Sequence, residues 1–147
     1  MRVDEQAEEI TWRLLHLFRG MQDGFEKAAA DVGLSSAEAG ALRRLEHPVS
    51  MRSVAEALHC DASYVTVLTD RLASLGLVER VPDEKDRRVR QLVLTQEGRR
   101  TREELTRRLH ASSPALSPLD GAGRDELLDV LRRLSPGFDP ASAAPCS

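Results

Sequence analysis

The sequence predicts a mainly α-helical fold with one small β-ribbon. Three observations carry this reading. Apolar residues recur at three- and four-residue steps along most of the 147 residues, the pattern of one-sided helices. That period gives way only between Leu77 and Leu94, where two Val- and Leu-rich runs flank a hydrophilic tip. Only five aromatic residues occur, so the core has to be built mostly of Leu, Val and Ala.

The elements follow in order. Residues 4–30 read as a long first helix, with Ile10, Leu14, Leu17, Met21 and Phe25 in one stripe that Leu15 and Phe18 widen. Val32-Gly33 breaks it. Ser35-x-x-Glu38 is a capping box, and a second helix runs to about Glu46 with Leu42 and Leu45 inward. Pro48 interrupts, and Ser50 can cap a third helix over 51–58 with Val54, Ala55 and Leu58 inward. A short turn at His59-Cys60 leads to a fourth helix, which Asp61 is placed to cap. Val65, Leu68, Leu72 and Leu75 form its apolar face, and Gly76 follows as a left-handed C-cap. Its other face carries Ser63, Tyr64, Thr66, Val67, Thr69 and Asp70, with Arg71 at the edge. Side chains this short let a helix approach DNA bases closely. Residues 77–81 and 89–94 read as strands joined by a charged tip over 83–88. Thr95 can cap a fifth helix over 96–111, whose many arginines suggest a solvated connector with Glu103 and Glu104 pairing Arg107 and Arg108. Ser117 at N-cap and Pro118 at N1 open a last helix striped with Leu127, Leu128, Leu131 and Leu134.

Helix, turn, helix and basic-tipped hairpin make the pattern of a winged helix-turn-helix. Its helix enters the major groove and its wing reaches the adjacent minor groove. Ser63-x-x-Thr66, Asp70-Arg71-Leu72, Gly76-Leu77-Val78-x-Arg80, Asp86-x-Arg88 and Leu94-Thr95-x-x-Gly98 occur in the order and spacing of the MarR family of bacterial transcription regulators. The chain resembles that family over roughly residues 5 to 135. The expected division is a DNA-binding lobe over 35–95, dimerisation helices over 1–34 and 96–136, and a disordered tail over 137–147. The stripes at both ends have no third layer in the chain to cover them, which points to two copies burying them against each other.

On this reading the partner is double-stranded DNA with a near-palindromic operator. Ser63 and Thr66 would meet bases or phosphate near the helix start, with Tyr64 and Val67 on the same face. Tyr64 would stack on the backbone or touch a thymine methyl. Arg71 and Arg80 would grip phosphates, and Arg87 and Arg88 would probe the minor groove. Asp86 would orient Arg88 or serve as a turn residue. The resemblance also implies a repressor relieved by a small aromatic effector bound where the dimer helices meet the DNA-binding lobe. Trp12 and His16 could line that pocket, or be plain interface residues.

Bulk properties agree with a cytoplasmic regulator. The start is acidic and lacks the apolar run of a signal peptide. Net charge is −3, but residues 80–108 hold ten bases against six acids. Screening over about 8–10 Å lets such a face act locally. Cys60 and Cys146 belong to no metal-spaced set, and the four histidines are dispersed, so no metal or cofactor is expected. Cys60 reads as a small turn residue, with a thiol sensor beside the fourth helix as the alternative. No phosphate-binding loop, zinc-hydrolase or nucleophile-elbow motif occurs, which argues against an enzyme. A winged helix that serves as a protein-interaction module is the remaining rival.

Overall fold

The computed structural model describes residues 3–58, 60–111 and 116–138. Among these described residues, six helices and three short strands follow in the order α1 (Val3–Asp31), α2 (Ser36–Arg44), β1 (Val49–Ser50), α3 (Met51–Leu58), α4 (Ala62–Ser74), β2 (Val78–Pro82), β3 (Arg90–Leu94), α5 (Gln96–Ala111) and α6 (Gly121–Leu134). The mainly helical reading with a β-wing is therefore correct. Of the tail expected over 137–147, residues 139–147 lie outside the described residues, as does His59 in the turn before α4.

The core lies where α2, α3, α4 and α5 meet the sheet. Leu42, Val65, Leu72, Leu92 and Leu105 are completely buried there, with Ala28 and Ala29 closing it from the end of α1. Its aliphatic composition is what a chain with few aromatics must use. Ser35 caps α2 as the capping box requires. Its hydroxyl accepts from the Glu38 N–H at 3.2 Å, and the Glu38 carboxylate accepts from the Ser35 N–H at 3.0 Å.

The sheet has antiparallel order β1-β3-β2. Val78 faces Leu94 and Arg80 faces Leu92, so buried Val78, Leu92 and Leu94 bind the hairpin to the helices. β1 was not foreseen. It is two residues long, with Val49 opposite Leu92, and so shows no period of its own.

The turn between α4 and β2 shows why two glycines stand where they do. Gly76 has φ +72°, and the Leu77 N–H reaches back to the Leu72 carbonyl at 3.0 Å while the Gly76 N–H reaches Ala73 at 2.9 Å. This is a Schellman closure, which L side chains disfavour. The Leu77 carbonyl then accepts from the Thr95 N–H at 3.0 Å. A Cβ on Gly98 would sit 1.9 Å from that same carbonyl oxygen. Thr95 completes the joint, its hydroxyl donating to the Gly76 carbonyl at 2.6 Å and accepting from the Gly98 N–H at 2.9 Å. The start of α5 is thus locked to the end of α4.

Several expectations need correction. α5 is not a solvated connector, because it packs on α1 and α2. Leu105 is buried, Arg102 donates to the Arg43 carbonyl at 3.1 Å, and Arg108 pairs with both Asp31 and Glu104. α6 begins at Gly121 rather than near Pro118. Asp120 is its N-cap, accepting from the Gly123 N–H at 2.9 Å. Asp61 stands at the N-cap of α4 but its side chain makes no capping bond. Leu75, expected inward, is 38% exposed as the C-cap residue.

The ends of the chain are different in kind from the core. α6 buries no residue, and Leu128, Leu131 and Leu134 face solvent. Along α1, Ile10, Leu14, Leu17, Phe18 and Met21 are exposed, and only near Phe25 does the stripe reach the core. None of the helices among the described residues is long and apolar enough to cross a membrane.

Candidate nucleic-acid interface

α4 turns Val65, Leu68, Thr69 and Leu72 into the core. The 3.6-residue period therefore sends Ser63, Thr66, Val67, Asp70 and Arg71 outward, and all are exposed. Tyr64 is 41% and Val67 64% exposed. Thr69 is the exception to the expected polar face. It is 1% exposed, and its hydroxyl donates to the Thr66 carbonyl at 3.1 Å.

Most polar groups on this face are already engaged. Arg80 crosses from β2 to bond Asp70 at 2.6 Å and the Thr69 hydroxyl at 3.0 Å. It therefore ties the ribbon to α4, and any phosphate it gripped would compete with a carboxylate. Arg71 lies 3.6 Å from Glu38 of α2. The Thr66 hydroxyl donates to the Ala62 carbonyl at 2.9 Å.

The wing is organised by an aspartate that sequence reasoning missed. Asp83 Oδ1 accepts from the N–H groups of Lys85 at 2.7 Å and Asp86 at 3.0 Å, while Gln91 donates its side-chain amide to Oδ2. The Asp86 and Lys85 amides hold the Asp83 carboxyl below its ordinary range, and the Lys85 charge adds to this. The signal was present in Pro82-Asp83, a turn-opening pair. The expected Asp86–Arg88 side-chain bond takes another form, since Asp86 Oδ1 accepts from the Arg88 backbone N–H at 3.0 Å. Asp86 is thus a turn residue. Arg87, Arg88 and Arg90 project from this frame, exposed, and among the described residues none has an acidic partner within ion-pair distance. The wing tip thus presents exposed cations, and the outward face of α4 presents mostly short side chains.

The other candidate residues lie elsewhere. Trp12 is 64% exposed, and the hollow beside it and His16 is walled by residues of α1 alone. It is open to solvent and not an enclosed cavity. Cys60 is half-buried before α4, with Sγ 3.3 Å from the Leu58 carbonyl oxygen, and it is not a free thiol. On α2, burial and then the neighbouring Arg102 lower the pKa of Arg43.

Known proteins share this arrangement. The model of the MarR family matches residues 42–89, from the end of α2 through the wing tip. The structure of YusO from Bacillus subtilis superposes with a TM-score of 0.74 at 26% identity, covering 94% of this chain and all of that one. The chain is similar to the MarR family through its helix-turn-helix and wing. The HTH-type transcriptional repressor MdtR of Bacillus subtilis (strain 168) is 32% identical over 97 residues, which is 65% of this chain and 63% of MdtR. The chain thus spans less than two thirds of that curated relative in alignment. CouR from Rhodococcus jostii RHA1, solved bound to p-coumaroyl-CoA, superposes with a TM-score of 0.70 at 25% identity over 90% of this chain and 96% of CouR. The winged helix-turn-helix at the centre of the chain carries both the match to the MarR family model and the exposed face of α4.

Proposed function

We propose that the protein is a cytoplasmic, homodimeric transcription repressor that binds a near-palindromic duplex. The observation that carries this is the wing tip. Arg87, Arg88 and Arg90 stand exposed, and among the described residues no acidic side chain pairs with them, on a ribbon that Arg80 ties to α4. Uncompensated guanidinium groups on a pinned turn are suited to phosphate or to a narrow, electronegative minor groove. Ser63, Tyr64, Thr66 and Val67 of α4 would then lie in the major groove, while Arg71 and Arg80 would have to leave Glu38 and Asp70 to take a phosphate.

Dimerisation would use the exposed stripes of α1 and α6, setting the two α4 helices about 34 Å apart for successive major grooves. A second copy laid over the open hollow at Trp12 and His16 would also close it. That supports a small aromatic effector at the junction, in keeping with the acyl-CoA seen on CouR. Such an effector relieves repression only by favouring a dimer whose reading helices are mis-spaced.

The test is a gel shift with DNA from immediately upstream of the protein's own coding sequence, for wild type and Arg88→Ala. The expected outcome is a discrete complex that Arg88→Ala weakens on the order of tenfold, with less preference for A·T pairs at the flanks. Equal binding by Arg88→Ala removes the wing assignment. Absence of binding to any duplex favours a protein-interaction module.

A further inference from the structure

The exposed face of α4 offers very little hydrogen bonding. Direct readout of purines uses bidentate forks, Arg on guanine and Asn or Gln on adenine. α4 contains no Asn, Gln or Lys, and its single arginine, Arg71, lies toward its C-terminal end and pairs with Glu38 at 3.6 Å. The remaining polar groups are used within the protein. Asp70 holds Arg80 at 2.6 Å, the Thr66 hydroxyl donates to Ala62 at 2.9 Å, and the Ser74 hydroxyl donates to the Arg71 carbonyl at 2.7 Å. Ser63, Tyr64 and Val67 remain. Val67 is 64% exposed, directly opposite the buried stripe, and Tyr64 is 41% exposed one turn before Leu68.

An isopropyl group at the centre of a recognition face is costly in water and useless against a carbonyl or amino edge. It fits one feature of the major groove, the C5 methyl of thymine. The cationic wing beside it supplies the charge complementarity that would seat this face on a duplex and not on an apolar protein surface. We infer that α4 reads its operator chiefly by apolar contact, with Val67 and the ring of Tyr64 packed on thymine methyl groups and hydrogen bonding left to a few hydroxyls, Ser63 foremost. This rests on the duplex-binding reading above and specifies what that surface selects.

The test begins with duplexes selected from a randomised library by the full-length protein. They should share thymines at two symmetry-related positions under the α4 helices. Replacing those thymines by deoxyuridine removes the methyl groups and nothing else from the base. Wild type should then bind about fourfold more weakly per methyl lost, the effect of uncovering one methylene-sized group. Val67→Ala should bind the thymine duplex several-fold more weakly, and should respond less than wild type to the uracil exchange, because the methyl's partner at Val67 is already gone while that at Tyr64 remains. Val67 is exposed, so folding is not at risk. Equal sensitivity of wild type and Val67→Ala to uracil, or no sensitivity in either, overturns the inference and leaves duplex binding intact. Failure to enrich any duplex overturns both together.

Discussion

At the scale of single residues, the surface that matters is set by which side chains are already occupied. Arg80 and Arg71 look in sequence like two more phosphate ligands, yet each has a carboxylate partner on a distant element, Asp70 and Glu38. Helix phase gives exposure; it does not give tertiary partners. Asp83 shows the reverse, a residue of no evident chemistry that holds the wing tip together. Its carboxyl is held below the ordinary value of 3.8 chiefly by the amides of Asp86 and Lys85. The sign follows from linkage. A depressed folded-state pKa means a contribution fully present above the unfolded value and lost as pH falls through the folded one. Wing order should therefore persist through pH 3.8 and fail only in stronger acid. The amide proton shifts of Lys85 and Asp86, followed by NMR, should titrate together below that point in wild type and not titrate in Asp83→Ala. At neutral pH Asp83→Ala should weaken duplex binding several-fold, because Arg87 and Arg88 lose their frame. An unchanged affinity would show that the frame forms without it.

Elements were legible in the sequence to the extent that their signals were local. The Ser35–Glu38 capping box, the Gly76 stop and the span of α5 depend on neighbouring residues, and all stand as read. β1 was illegible because two residues cannot display a period. The start of α6 was misplaced because Ser117 and Asp120 both have capping side chains, and the choice fell to Asp120, which reaches the Gly123 amide. The outward set of α4 was legible apart from Thr69, which lies at the edge of the buried stripe. Gly98 shows how a motif glycine acquires a cause once elements are packed. Gly98→Ala would drive a methyl into the Leu77 carbonyl, 1.9 Å away, and separate α5 from the α4–β2 turn. A loss of about 3 kcal/mol is expected, read as a fall in Tm on the order of 10 °C. A change under about 1 kcal/mol would mean that this joint can open without cost.

For the whole molecule, the division between core and ends is the governing fact. A single chain buries Leu42, Leu72 and Leu105 completely and leaves the stripes of α1 and α6 in water. Isolated exposed leucines need no explanation, but contiguous stripes on two helices do. Wild type should therefore sediment as a dimer at micromolar concentration, and Leu131→Glu with Leu134→Glu should yield a monomer that keeps the winged lobe folded. A wild-type monomer would leave those stripes unexplained. The net charge of −3 hides a basic face, and its consequence is a strong dependence on salt. The measurement that bears most directly on the account is the slope of log affinity against log salt concentration for the full-length protein on a duplex. Four or more phosphates neutralised by two wings predict a slope of about −4 or steeper. A slope near zero would contradict it, since a surface that releases no counterions is not holding DNA.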